Sequence, residues 1–293
     1  MTRFFRQLFL LCAMLSSLAL LIGFAGALHP IGDSLAVFRL QAGGATILAA
    51  LFAFLLGSRT ALALAVIAGA AITPAVWLSA GLGAQTGGNI VLYQKNLSFR
   101  LRDPQPIIED ILQSGADVVT LQEVTTHNRT VLDGIATALP TQLICPFARV
   151  GGVAVASHYP VIEGSKTCLQ GRGLAAMQVA HPDGPLWLVS IHLHWPWPYG
   201  QASQMQHIVP ALAEMSGPTI LGGDFNMVPW SDTHRQIASA TASRRVGTAL
   251  NSFPRFGTLL PLPIDHVFSP RGGIASLRPL LGSDHRGLLA RME

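Results

Sequence analysis

Three long apolar runs open the chain. Leu8–Leu28, Leu40–Ser58 and Thr60–Asn89 hold no charged residue. A helix needs about 20 apolar residues to cross the hydrocarbon of a bilayer. The first run and Ala61–Ala80 meet that length, and Leu40–Gly57 is marginal. Pro74 is tolerable inside a membrane helix. Residues 1–80 therefore predict an all-α membrane region of about three transmembrane helices, and the Gly-rich stretch 81–88 reads as a linker. From residue 89 the pattern changes to short apolar runs with polar breaks. Ile90–Gln94, Val118–Gln122, Val153–Ser157, Leu174–Val179, Leu186–His192, Thr219–Leu221, Ile264–Phe268 and Gly287–Met292 predict strands. Pro106–Gln113, His127–Leu139 and Gln201–Met215 predict helices, the last kinked or started late by Pro210. Strands joined by both hairpins and helices predict mixed sheets and an α/β fold.

Composition sharpens this division. Half of the 293 residues are hydrophobic and only 12% are charged, against roughly a quarter in soluble domains. The net charge of +4 invites a nucleic-acid reading, but its distribution removes it. Four arginines against Asp33 leave +3 on residues 1–87, so residues 88–293 carry only +1. Arg244-Arg245 reads as a solvated surface pair. Arg3 and Arg6 before the first span, and Arg59 in the turn between spans two and three, predict a cytoplasmic N-terminus. His29–Ala36 and everything after Ala80 then face outward, which in a Gram-negative source is the periplasm. Arg39 is the discordant charge, expected to snorkel at the outer interface. A rival reading makes the first run a signal peptide cut near Ala25-Gly26-Ala27; both readings put residues 89–293 outside. In that oxidising setting Cys145 and Cys168 are open to pairing or to two separate thiols.

Candidate chemistry sits where apolar runs end. Val118–Leu121 leads into Gln122-Glu123, Ile191 into His192, Ile220-Leu221 into Gly223-Asp224-Phe225-Asn226, and Gly282-Ser283-Asp284-His285 lies near the C-terminus. A rigid strand that stops in a polar residue presents it at a sheet rim. A phosphodiester is anionic and weakly electrophilic. Its hydrolysis needs charge neutralisation, an aligned water and a stabilised leaving oxygen. Glu123 and Asp284 can hold a hard cation, Asp224 can orient a water, and Asn226, His192 and His285 can grip phosphate oxygens.

This ordered set resembles the endonuclease/exonuclease/phosphatase superfamily of DNase I-like phosphoesterases over about Asn89–Glu293. The resemblance implies a four-layer sandwich of two packed mixed β-sheets with outer helices. It also implies Mg²⁺ or Mn²⁺ held by Glu123 with Asp284 and Asn96. Asp224 becomes the water-orienting base, and Asn226, His192 and Asn96 the phosphate contacts. His285 is set by Asp265, and His266 is structural. Ser157-His158-Tyr159-Pro160 stands where many relatives carry Arg or Lys, which argues against a tight grip on an extended backbone. Trp195-Pro196-Trp197-Pro198-Tyr199 displays three aromatics. Base stacking, contact with the membrane interface and simple packing all remain open, with Trp195 and Trp197 as substrate-binding candidates.

The expectation is a membrane-anchored, metal-dependent phosphoesterase acting on nucleic acid, a phospholipid headgroup or a small phosphoester. The alternative is a membrane-tethered phosphate- or lipid-binding module without turnover. The N-terminal helices imply lipid as a partner; no protein partner is evident.

Overall fold

The computed structural model describes residues 1–80, 87–254 and 260–293. Most of the expected linker, residues 81–86, lies outside the described residues.

The N-terminal segment forms α1 (Thr2–Ile22), α2 (Pro30–Ala36), α3 (Arg39–Leu55) and α4 (Arg59–Ala80). Small residues face inward: Ala13, Ala50, Ala53 and Ala61 form the buried seam between helices. Large apolar side chains such as Leu15, Leu18, Leu21, Phe52, Val66 and Ile67 face outward. A water-soluble bundle buries its large apolar residues. Small residues at the seam and large ones outside suit hydrocarbon surroundings. α1 and α4 are long and apolar enough to cross a membrane, and α2 with α3 adds a third span only if that pair, bent by 67°, counts as one.

α2 belongs as much to the globular part as to the helices. Ala36 and Val37 are buried in its core. Asp33 caps α8 (Asp232–Ala240), accepting from Asp232 N at 2.8 Å, Thr233 N at 2.9 Å and Thr233 Oγ1 at 2.8 Å. Trp230 Nε1 donates to Ala36 O at 2.7 Å. Arg39 departs from the expected snorkelling. It is buried, its Nη2 donates to Gly23 O at 2.6 Å, and its guanidinium lies 3.9 Å from the centre of the Phe24 ring. The turn after α1 leaves carbonyls exposed, and Arg39 satisfies one of them.

The remaining elements are β1 (Ile90–Asn96), α5 (Gln105–Ser114), β2 (Val118–Val124), α6 (Thr130–Ile135), β3 (Thr141–Ala148), β4 (Gly151–Ser157), β5 (Thr167–Leu169), β6 (Leu174–His181), β7 (Gly184–His192), α7 (Gln201–Ala213), β8 (Thr219–Asp224), β9 (Arg244–Arg245), β10 (Asp265–Ser269), β11 (Ile274–Leu277) and β12 (Leu288–Met292). They build two six-stranded mixed sheets, ordered β11-β12-β1-β2-β4-β3 and β5-β6-β7-β8-β10-β9. Leu92, Val118 and Val155 of the first sheet pack on Met177, Leu188 and Ile220 of the second. α5 and α6 cover the outer face of the first sheet, and α7 and α8 cover the second. This is the expected four-layer sandwich. β1 and β8, with both faces covered, are buried at every position, which is why each carries an apolar run, Ile90–Tyr93 and Ile220-Leu221, in place of an alternating pattern. The sheets approach closely: a Cβ on Gly222 would meet Thr120 Oγ1 at 2.3 Å.

Several elements differ from the sequence expectation. The helix expected over His127–Leu139 is only α6, and α7 runs from Gln201 through Pro210 because Met205, Ile208 and Leu212 seat it on the second sheet. β3, β5, β9, β11 and α8 were not foreseen. The four strands lie at or near sheet edges and are half-exposed, so their apolar pattern is weak. Arg245 is not a solvated surface residue, since its Nη1 is buried. Cys145 and Cys168 form a disulfide with Cα atoms 5.5 Å apart. It joins the edge strands β3 and β5 and so ties one sheet to the other.

Candidate active site

The two sheets end in polar residues at one common rim. Asn96 closes β1, Glu123 sits near the end of β2, His192 closes β7 and Asp224 closes β8. β7 and β8 run parallel with His192 beside Asp224, and β10 runs antiparallel with Asp265 on the other side of Asp224. The loop before β12 then brings Ser283, Asp284 and His285 across from the first sheet.

Glu123 reaches the rim through a local irregularity. Gln122 pairs with Val153 and Val124 with Gly152, so Glu123 is the extra residue between them, with φ of 56°. A bulge of this kind re-aims a side chain, and left-handed backbone outside glycine is concentrated at functional sites. Asn226 also has positive φ, 48°, a conformation asparagine tolerates well.

The side chains converge. Asn96 Nδ2 lies 3.0 Å from Asp224 Oδ2 and 3.3 Å from Glu123 Oε1. Asn96 Oδ1 accepts from Ser98 N at 2.8 Å. The amide group facing the carboxylates is thus a donor that bridges Asp224 and Glu123. Glu123 Oε2 accepts from Phe99 N at 2.6 Å. His192 Nε2 is 3.4 Å and His285 Nε2 3.8 Å from Asp224 Oδ2. His285 Nδ1 is 2.8 Å from Asp265 Oδ2. Asn226 N donates to Asp224 Oδ1 at 2.9 Å, and its side-chain amide donates to Leu193 O at 2.7 Å.

Burial and charge set the protonation of this cluster. Burial pushes Asp224 up to about 7, against the pull of His285. Burial opposes charge on His285, but Asp265 and Asp224 outweigh it and lift the imidazole to about 9. Asp265 is also penalised by burial, yet His285 and the hydrogen bond from Gln94 hold it below the usual carboxylate range. His192, buried and beside His285, falls to about 3 and is neutral. Burial raises Glu123 as well, and the nearby Asp284 charge adds to that rise.

These carboxylates test the fit of a cation. Glu123 and Asp224 are both pushed up by burial, with the Asp284 charge adding to the rise at Glu123 and the Asp265 charge to that at Asp224. A hard divalent cation with oxygen ligands favours the ionised form of both, so the donor set fits. Asp284 itself is exposed and acts on Glu123 and His285 through its charge. Ligand atoms of Asp224, Asp265 and His285 also lie within 4.8 Å of one another. In that trio both Asp265 oxygens already have partners, Oδ2 in His285 and Oδ1 in Gln94.

Several residues here were missed by sequence reasoning. Gln94 Nε2 donates to Gln122 Oε1 at 2.8 Å and Asp265 Oδ1 at 3.0 Å, and Gln122 Nε2 donates to Ser190 Oγ at 3.1 Å. This polar bridge crosses between the sheets beneath the site. Lys95 is buried, and its ammonium donates to the carbonyls of Pro279, Leu280 and His285 at 2.8–2.9 Å. It therefore pins the loop that carries His285. The available signal was a polar pair, Gln94-Lys95, inside an apolar strand. Phe147 packs 5.1 Å from the His192 ring and Phe253 4.6 Å from the His285 ring, and no local pattern marked them. Of the aromatic loop, Trp195 is half-buried, 6.0 Å from Phe253, whereas Trp197 packs 6.5 Å from His29 beside α2 and outside the carboxylate cluster. His266 is structural, with Nε2 2.8 Å from Met227 O.

A paired-sheet sandwich with acids, amides and histidines at one rim has the DNase I-like fold. Residues 91–285 match the model of the Endonuclease/Exonuclease/phosphatase family, and the chain belongs to that family, a superfamily of metal-dependent phosphoesterases and nucleases. Among solved structures it is similar to a beta toxin mutant from Staphylococcus aureus with bound magnesium ions (14% identity, 70% of this chain and 100% of that one, TM-score 0.55). It is similar to SmcL (16% identity, 70% and 99%, TM-score 0.55). It is also similar to D. rerio TDP2 complexed with a single-strand DNA product (15% identity, 69% and 97%, TM-score 0.54). At these identities the likeness is one of fold. No curated protein matched the chain by sequence.

Proposed function

We propose that this chain is a membrane-anchored, divalent-metal-dependent phosphoesterase in which Asp224 orients the attacking water. The observation that carries the reading is the convergence of Glu123, Asn96 and Asp224 with the Asp265–His285 pair at one rim. A cation, Mg²⁺ or Mn²⁺, held by Glu123 with Asp284, would neutralise phosphate oxygens and the leaving oxygen. The bound magnesium of the similar beta toxin structure supports that choice.

The chain's own residues do the rest. Asp224, kept next to Asn96 and Asn226, takes the proton of a water aligned with phosphorus. His285, held cationic by Asp265, faces developing negative charge. Neutral His192 and the free amide proton of Asn226 contact phosphate oxygens. Residues 1–80 serve as the membrane region and residues 89–293 as the catalytic domain, joined by 81–88. The outward placement of that domain is supported by the Cys145–Cys168 disulfide, which persists in oxidising compartments. Asp33 fastens the α1–α3 connection to the same domain, so the two share one side of the membrane, and the charges of Arg3 and Arg6 before α1 favour the outer one.

The test uses the full chain in detergent micelles with bis(p-nitrophenyl) phosphate. Hydrolysis that requires Mg²⁺ or Mn²⁺, stops on chelation and is lost in Asp224→Ala is the expected result. Full activity in Asp224→Ala, or after exhaustive chelation, overturns the mechanism. Tight phosphate binding with no turnover would make the chain a binding module.

A further inference from the structure

The membrane helices do more than tether the sandwich: they build one wall of a groove beside the site. Val37 and Phe38, where α2 gives way to α3, face Trp195, Trp197, Tyr199 and Phe253 across a groove of roughly 240 Å³. The groove exists only because α2 is fastened. Ser34 Oγ donates to Trp197 O at 2.5 Å, Trp230 to Ala36 O, and Asp33 caps α8.

Its two ends are informative. At one end the lining residue Phe253 lies against the His285 ring, so one side chain separates the groove from the proposed chemistry. At the other end Phe38 is the residue before α3, where the chain turns into its apolar helix. Phe38 is 48% exposed, Trp197 47% and Tyr199 67%. Trp and Tyr displayed beside apolar helices match the level of a membrane–water interface. Ser34 is the one hydroxyl-bearing aliphatic side chain of the lining, and its hydroxyl is already given to Trp197 O. With the Tyr199 hydroxyl and the indole N–H groups of Trp195 and Trp197 as its other side-chain polar groups, the lining is mostly apolar and suits hydrocarbon.

We propose that this groove seats the hydrocarbon-bearing end of a bilayer phospholipid, with the phosphodiester at Asp224 and His285. The inference rests on the phosphoesterase reading and names its substrate class. The enzyme acts on lipid of the leaflet in which it is embedded. Water adds across one P–O bond of the diester, leaving an alcohol and a phosphomonoester. The small net charge of residues 88–293 favours this occupant over nucleic acid, which demands a basic footprint. Trp197 and Tyr199 could alternatively stack on bases, and the test separates the two.

The full chain is reconstituted in vesicles of phosphatidylglycerol and phosphatidylethanolamine, and lipid products are followed by mass spectrometry. Bis(p-nitrophenyl) phosphate and supercoiled plasmid are assayed in parallel. The expected result is lipid hydrolysis by the wild type. Phe38→Asp and Tyr199→Asp then lower the ratio of lipid rate to soluble-diester rate by about tenfold or more, from lost apolar contact. Both side chains are substantially exposed, and thermal unfolding verifies that the variants fold. A phospholipid with a photoreactive acyl chain should label the groove of the wild type and label either variant less. Intact lipid with cleaved soluble diester overturns the inference and leaves the phosphoesterase reading standing. Failure to cleave any phosphoester overturns both. Plasmid nicking with intact lipid, or an unchanged rate ratio in both variants, also overturns the inference.

Discussion

His285 Nδ1 and Asp265 Oδ2 are 2.8 Å apart, a contact made across the two sheets. Asp265 starts β10 of the second sheet, and His285 lies in the loop before β12 of the first. The imidazolium and the carboxylate are both buried, so each depends on the other for its charge. Asp265→Asn keeps the shape and removes the charge. The expected outcome is a loss of about 10²-fold in kcat on bis(p-nitrophenyl) phosphate with a smaller change in KM. Unchanged kcat would remove Asp265 from the mechanism.

Lys95 is predicted to be a positioning residue. Lys95→Met leaves the carbonyls of Pro279, Leu280 and His285 without their donor. Unfolding should become easier by about 1–3 kcal/mol, and activity should fall as the His285 loop loosens. Lys95→Arg, which retains donors, should recover part of both. Equal loss in the two variants would mean a purely steric role.

The disulfide closes a segment with a sequence separation of 23 residues. Chain entropy gives such a crosslink about 3 kcal/mol. Replacing both Cys145 and Cys168 by Ser should lower denaturant stability by about that amount, and dithiothreitol should have no further effect on the variant. A wild type that shows free thiols as purified would contradict this.

His266 predicts an acid-sensitive fold. Burial and the neighbouring Arg245 hold it at about 4, whereas an unfolded histidine titrates near about 6.5. As pH falls below that value the unfolded chain takes the proton first, so stability through this group is lost until pH reaches its folded pKa. Between about pH 7.5 and about pH 5 the loss is about 2 kcal/mol. His266→Gln should flatten this component of the stability–pH curve, measured by thermal unfolding of both proteins. Parallel curves would show that His266 does not carry it.

Glu123→Gln tests the cation site. It keeps the size of the side chain and one acceptor, so one of the two hydrogen bonds accepted from Asn96 and Phe99 survives, and it removes the charge. The Mg²⁺ concentration for half-maximal activity should rise about 10-fold or more, as read from a metal titration of the hydrolysis rate. An unmoved midpoint would place the cation elsewhere.

Much of this protein was readable from local pattern. The apolar runs of residues 1–80, the strand ends at Glu123, His192 and Asp224, and the helices over Gln105–Ser114 and Gln201–Ala213 are all coded by neighbours in the chain. Local patterning reports burial on one face, and it succeeds where burial is complete. It fails for edge strands such as β3 and β11, whose side chains are half in water. The resemblance through Gln122-Glu123, Gly223–Asn226 and Ser283–His285 named candidates that the fold brings to one rim.

Other features are decided only by the tertiary structure, because they depend on contacts between segments far apart in sequence. Gln94 with Asp265, Lys95 with the His285 carbonyl and Phe253 with the His285 ring meet only when the sheets stack. Cys145 reaches Cys168 only when two sheet edges align. Asp33 reads as a lone acid in a loop until α8 presents its N–H groups to it. A sequence records which residues want burial, charge or a turn; which partner satisfies each want is set by the packing of the whole chain.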